Sequence, residues 1–324
     1  MDNIEQDIPK KELPFNNLFL NSAVVHGFNY WWMYFFGIAA VLLGYVICQL
    51  LITFPLMTIA FNNGVSMAEL QSNPLMLFDP AQIGINNNIL LAMLFSMFGF
   101  ALLGLFIVVK RIHHKTFLSI LTAYSKLRYK RLFFAFLVWG ILIIVATLIS
   151  YFTVPGELTV QFKPGSFLGL LLVCIVLLPI QTSAEEIIIR GYLMQGLALI
   201  FKNGIIPLIL TSLLFGFLHM ENPEAREFGW MVMLPYYATF GLFLGLITLL
   251  DEGLELALGI HLANNFISCL LVTTPNGTLR TDAIFLTQTQ DPKSEFILFI
   301  VLAIITFAVF WFKYRWTNFK LILK

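Results

Sequence analysis

Apolar runs long enough to cross a bilayer recur along this chain, and they leave few folds open. A membrane-crossing helix needs ~20 mostly apolar residues. Candidate runs are about Trp31–Ile59, Ile89–Val109, Leu132–Phe152, Phe167–Phe201, Ile205–His219, Trp230–Leu250, Leu254–Val272 and Phe296–Phe312. They are apolar on all sides rather than at alternate positions, which excludes a β-barrel. The chain is 59% hydrophobic and 11% charged, whereas a soluble domain carries roughly 25% charged residues. The sequence therefore predicts an all-α polytopic membrane protein of about eight transmembrane helices. No stretch suggests nucleic-acid binding, and the expected surroundings are membrane lipid. Cys48, Cys174 and Cys269 all fall in apolar runs, which argues against a disulfide framework or a cysteine metal site.

Four regions follow from these runs: a polar N-terminal segment (1–28), three transmembrane helices (29–152), a core that ends after the seventh run (153–275), and a last loop, eighth helix and basic tail (276–324). No cleavable signal is expected, because the first apolar run is too long for a signal peptide's apolar region. Lys and Arg placement orients the helices. The loop after the second run holds Lys110, Arg111, Lys115, Lys126, Arg128, Lys130 and Arg131, and the tail holds Lys313, Arg315, Lys320 and Lys324. The segment Asn62–Asn88 holds none. With eight crossings both termini come out cytoplasmic, in agreement with Lys10 and Lys11. The Phe-, Ile- and Asn-rich style with short loops points to a bacterial inner membrane.

Of the 18 acidic residues, Glu185 and Glu186 alone lie well inside an apolar run. An ionisable group at membrane depth costs several kcal/mol, so its default reading is a functional site with a partner nearby. Arg190 is four residues from Glu186, the spacing of a helical ion pair, whereas Glu185 points about 100° away. Glu186–Arg190 reads as a buried structural pair, which leaves Glu185 as the candidate general base. His26, His113 and His114 read as interface or solvated positions. His219 and His261 each lie in or at the end of an apolar run. A lone buried histidine is more often structural, but two beside a buried carboxylate pair shift that balance.

Lys202-Asn203-Gly204 signals a turn between two helices. Glu185 precedes Lys202 by 17 residues and His219 follows Asn203 by 16, which sets the two nearly level in an antiparallel hairpin. At matched depth they could hold a water or a metal ion. His261 and Asn265 share one helix face, as do Phe215 and His219. On residue types alone, an enzyme and an ion-coupled transporter are equally open. One mismatch stands: His261 lies ~10 Å from the cytoplasmic side, but Glu185 and His219 lie ~25 Å from their turn. The depths agree if the hairpin projects beyond the membrane, tilts, or breaks near Gly191 or Gly196.

Glu185-Glu186-x-x-x-Arg190, Phe215-x-x-x-His219 and His261-x-x-x-Asn265 resemble, in order, the motifs of the CPBP family. That family includes the CAAX prenyl endopeptidases of the Rce1 type and bacterial Abi relatives. The resemblance covers about Phe167–Leu271, on the fourth, fifth and seventh runs, and Gly241 and Gly245 match its small-residue packing stretch. It implies an intramembrane endopeptidase acting on a peptide or protein tail. In that reading Glu185 and His219 activate a water, His261 and Asn265 donate to the oxyanion, and Glu186 with Arg190 holds the site together. The resemblance also allows a divalent metal such as zinc on Glu185, His219 and His261, although a metal-free mechanism fits as well and no His-Glu-x-x-His is present. The second expectation is a non-catalytic immunity or scaffold protein on the same fold, and the third is the transporter.

Overall fold

The computed structural model describes residues 13–275, 277, 280–287 and 289–319. Lys10, Lys11, Lys320 and Lys324 of the orientation argument lie outside the described residues. In chain order the helices are α1 (Leu18–Val25), α2 (Trp31–Asn62), α3 (Met67–Ser72), α4 (Pro80–Ile83), α5 (Asn87–Arg111), α6 (Tyr129–Thr153), α7 (Pro164–Glu186), α8 (Met194–Phe201), α9 (Ile205–Leu218), α10 (Pro223–Phe228), α11 (Trp230–Asp251), α12 (Glu255–Leu271) and α13 (Pro292–Tyr314). Local chemistry sets many of their starts. Asn17, Asn86 and Asp291 cap α1, α5 and α13 through their side chains, and proline opens α7, α10 and α13, where its missing N–H is not needed.

The protein is an all-α polytopic membrane protein. Among the described residues, six helices are long and apolar enough to cross a bilayer: α2, α5, α6, the continuous run Pro164–Phe201, α11 and α13. The other two expected spans exist as shorter apolar helices, α9 and α12. Phe35, Leu50, Phe54 and Phe312 stand well exposed on the outside of the bundle, an apolar surface that a bilayer would cover.

α12 forms the centre. Glu255 to His261 are buried at every position, so this helix is enclosed on all sides. It lies against α6, α7 and α11, while α2 reaches the core by way of α5. Gly259 makes the α6 contact possible. A β-carbon there would sit 2.8 Å from Ala135 Cβ and 3.0 Å from the Phe136 nitrogen, too close for any other residue. Gly241 and Gly245 bring α11 close to α9, where an added β-carbon would, respectively, lie 3.2 Å from the Ser212 backbone and press on the end of the Leu208 side chain.

The long helix runs on past the start of α12. Glu186 leads into a π-helical segment, Ile187–Leu193, which continues into α8 without a break. α12 starts level with this segment, its entry tied by the Leu254 N–H to the Leu121 carbonyl at 2.8 Å. α8 therefore overruns α12 by its own eight residues. The overrun is wrapped rather than bare: Gln195 Nε2 donates to the carbonyls of Phe19 and Ser119, both at 3.2 Å. The hairpin projects past its neighbours, and α1 and the basic loop enclose the projection.

Two features depart from the sequence expectations. A small sheet, β1 (Leu158–Val160), β2 (Val272–Thr273) and β3 (Phe285–Thr287), ties together the loops at the end opposite the basic loop. Its order is β1-β3-β2, with β1 antiparallel and β2 parallel to β3. Strands this short carry no legible periodicity. Second, His113 and Lys115 are not solvated. Both are buried: His113 bonds the Tyr192 hydroxyl at 2.9 Å and the Phe28 carbonyl at 2.8 Å. The N-terminal segment folds back over the loop and removes both from water.

Candidate active site

The site is built from α7, α9, α11 and α12. Glu186 is the last residue of α7 and faces inward because the apolar flank of that helix is turned outward. Its Oε1 accepts from Arg190 Nη1 at 2.8 Å and from His261 Nδ1 at 2.7 Å, and no side chain of the three is more than 3% exposed. Arg190 also donates to the Gly241 carbonyl at 3.3 Å, and its guanidinium lies 4.3 Å above the Phe215 ring. One residue from each of three helices thus meets on Glu186–Arg190, as the helical spacing predicted for a buried structural pair. Glu186 Oε2 and Arg190 Nε remain without a protein partner, places where a buried water would be satisfied.

Glu185 points elsewhere. Its side chain is 18% exposed, and its Oε2 lies 3.5 Å from His261 Nε2. Gln181, one turn earlier, donates to its Oε1 at 2.6 Å. Gln181 in turn accepts from Asn265 Nδ2 at 3.1 Å, and Asn265 Nδ2 stands 3.5 Å from His261 Nε2. Glu185, His261 and Asn265 therefore surround one small region.

Hydrogen-bond geometry fixes one ring hydrogen of His261. A Glu186 carboxylate is an acceptor, so His261 Nδ1 carries a hydrogen. Its Nε2 faces a second carboxylate, Glu185, at 3.5 Å, a contact that a second ring hydrogen would serve.

His219 is placed differently from the hairpin argument. It caps α9, donates from Nδ1 to the Phe215 carbonyl at 2.7 Å, and stacks on Tyr237 with centroids 4.5 Å apart. It has no direct hydrogen bond to Glu185. Because a carbonyl only accepts, Nδ1 holds a hydrogen. The Phe215 ring lies between His219 and His261, with centroids 4.5 Å from one and 6.0 Å from the other. Helical counting gave no account of this ring.

A metal was tested on the same geometry. Among the described residues, no three His, Cys, Asp or Glu side chains gather into a metal-binding group. Glu185 and His261 approach each other, but His219 faces Tyr237, and both His261 nitrogens are already directed at carboxylates. These donors do not fit zinc as they stand, and no step is derived through it. Sequence reasoning passed over Gln181, Asn264 and Tyr237. Gln181 alone had a readable signal, a polar side chain one helical turn before Glu185 in an apolar run.

Residues 164–267 match the sequence model of the family described as type II CAAX prenyl endopeptidase Rce1-like. The uncharacterized protein YyaK of Bacillus subtilis (strain 168) is 30% identical over 261 residues, covering 79% of this chain and 84% of that protein. No solved structure matches.

Proposed function

The chain belongs to the Rce1-like family of type II CAAX prenyl endopeptidases, and from that premise we propose that it is an intramembrane endopeptidase that cuts a membrane-associated peptide or protein tail. The observation that carries this reading is the division of labour between adjacent carboxylates. Glu186 is fully buried and holds Arg190 and His261. Glu185 is partly open and lies beside the His261 and Asn265 nitrogens. A site with one carboxylate committed to structure and one left accessible is equipped for proton transfer.

In the proposed reaction, Glu185 takes a proton from water as its oxygen attacks the scissile carbonyl. His219 joins Glu185 on that water once its ring turns from Tyr237 past Phe215. The developing oxyanion receives hydrogen bonds from His261 Nε2–H and Asn265 Nδ2–H, donors fixed before the charge forms. Collapse of the intermediate breaks the C–N bond, and the proton held by Glu185 passes to the leaving amine. Glu186 and Arg190 keep His261 oriented throughout. We take it to be an inner-membrane enzyme of eight crossings; the apolar outer surface and the bacterial relative support a membrane location.

The test is cleavage of membrane-anchored and soluble peptide panels by purified protein in detergent or nanodiscs. Glu185→Gln should lower kcat by at least about 10³-fold, typical for loss of a general base together with its electrostatic role, while the protein still inserts and purifies. Cleavage retained in Glu185→Gln, or no cleavage of any panel by wild type, sinks the reading.

A further inference from the structure

Behind Asn265 lies a chain of hydrogen bonds that the proposed chemistry does not account for. Trp139 Nε1 donates to Asn264 Oδ1 at 3.2 Å. Asn264 Nδ2 donates to Asn265 Oδ1 at 3.2 Å. Asn265 Nδ2 donates to Gln181 Oε1 at 3.1 Å, and Gln181 Nε2 donates to Glu185 Oε1 at 2.6 Å. The chain starts on α6, crosses α12 and ends on α7. Its first member is 1% exposed.

The two ends set its direction. An indole N–H can only donate, and an ionised carboxylate can only accept. Each amide between them has a donor end and an acceptor end of nearly the same shape, so its orientation depends on its partners. Reversing the three amides would face the Asn264 amino group against the indole N–H, and the Gln181 carbonyl against the Glu185 carboxylate. Both contacts are repulsive, and both leave buried groups unpaired.

We propose that Trp139 and Gln181 are positioning residues, the two ends of a one-way relay that turns the Asn265 amino group toward the reacting region and holds the Glu185 carboxylate. The sense of the relay decides which atom of Asn265 faces His261. With Nδ2 there, one hydrogen goes to Gln181. The other points toward His261 Nε2 at 3.5 Å, longer than an ordinary hydrogen bond, and is available to an oxygen placed between them. With Oδ1 there, Asn265 would repel an oxyanion. The approach of α12 to α6 at Gly259 brings Asn264 within reach of Trp139.

This inference rests on Glu185 being the base, and two readouts separate the two ideas. In cleavage assays, Trp139→Phe keeps the aromatic packing and removes only the first donor. It should lower kcat about 3- to 10-fold with KM nearly unchanged, as loss of one neutral hydrogen bond predicts. Gln181→Leu removes a donor to an ionised carboxylate. It should lower kcat about 10- to 100-fold and move the acid limb of the rate–pH profile upward. Independently of activity, the indole ¹⁵N–¹H resonance of Trp139, identified by its loss in Trp139→Phe, should shift in Gln181→Leu and in Glu185→Gln but not in the exposed variant Arg226→Ala. A resonance indifferent to both site variants overturns the relay, as does a Gln181→Leu enzyme with a wild-type pH profile. If wild type cleaves nothing, the protease reading fails, and the resonance alone decides the relay.

Discussion

Two buried ionic clusters hold α12, and they are built on different principles. The inner one is Arg190, Glu186, His261 and Glu185. The outer one, at the basic-loop end, is Arg128, Arg131, Asp251 and Glu255. In the outer cluster Arg128 donates to both Glu255 oxygens at 3.1 and 2.7 Å. Its 2.9 Å approach to Asp251 Oδ2 is an ion pair without hydrogen-bond geometry. Arg131 pairs with Asp251 Oδ1, and Trp316 Nε1 donates to the same oxygen at 3.2 Å. Tyr124 and Tyr314 stack on the two guanidiniums at 4.0 and 4.1 Å. The outer cluster sets two arginines, which keep their protons at any ordinary pH, against two carboxylates. The inner one sets Arg190 and a histidine against the buried Glu186 and the partly open Glu185. A closed cluster built on two arginines reads as a clamp, and a cluster with a histidine and one open carboxylate reads as a site.

The largest effect should come from breaking the inner cluster at its permanent cation. Arg190→Ala leaves Glu186 buried against His261 alone. Removing one partner of a buried pair costs about 3–5 kcal/mol, and the Phe215 ring loses its cation as well. Arg190→Ala should fail to purify as a folded protein, or unfold far below wild type in a thermal scan in detergent. Near-normal stability would mean that the inner cluster is not structural, and the contrast with the outer one would collapse.

Arg128→Ala should cost less, about 1–3 kcal/mol, the range for losing hydrogen bonds to charged partners. Arg128 is 17% exposed, and Arg131 still neutralises Asp251. The same protein should keep its kcat per folded molecule, because nothing in the outer cluster touches the inner one. Comparing kcat with melting temperature in Arg128→Ala separates clamp from site. A kcat loss larger than the loss of folded protein would show that the two clusters are coupled through α12.

The inner cluster was largely legible in the sequence and the outer one was not. Glu186 with Arg190 follows from helical spacing alone, and a charged pair in an apolar run is conspicuous. His261 and Asn265 share a face for the same reason. Pairing between helices is another matter: no periodicity says that Asp251 meets Arg128 across 123 residues, or that Trp139 reaches Asn264. His219 shows the limit from the other side. Its contacts are set by Phe215 and Tyr237, which only packing reveals. Glu186 and His261 do meet, hydrogen-bonded at 2.7 Å, and the hairpin runs unbroken past Gly191 and beyond α12.

The smallest effect concerns a cation that belongs to neither cluster. Lys115 is 4% exposed, donates to the Ala23 carbonyl at 3.3 Å and lies 5.9 Å from the Tyr34 ring centre. Its polar contacts include no carboxylate, so burial pushes its ammonium down to about 7. The neighbouring His113 is pushed down to about 4, by burial first and by the charge of Lys115 second. Between about pH 7 and the ordinary lysine value, the unfolded chain holds a proton at Lys115 that the folded chain lacks. Stability therefore rises with pH across that window, by at most ~1.4 kcal/mol per pH unit. Below pH 7 both states are protonated and the full cost of the buried charge remains. Lys115→Met removes the slope, and its stability advantage over wild type should shrink as pH rises from 7 to 9. Unfolding of both proteins in detergent along that series checks the sign. Parallel curves would mean that Lys115 keeps its proton in the folded protein despite its burial.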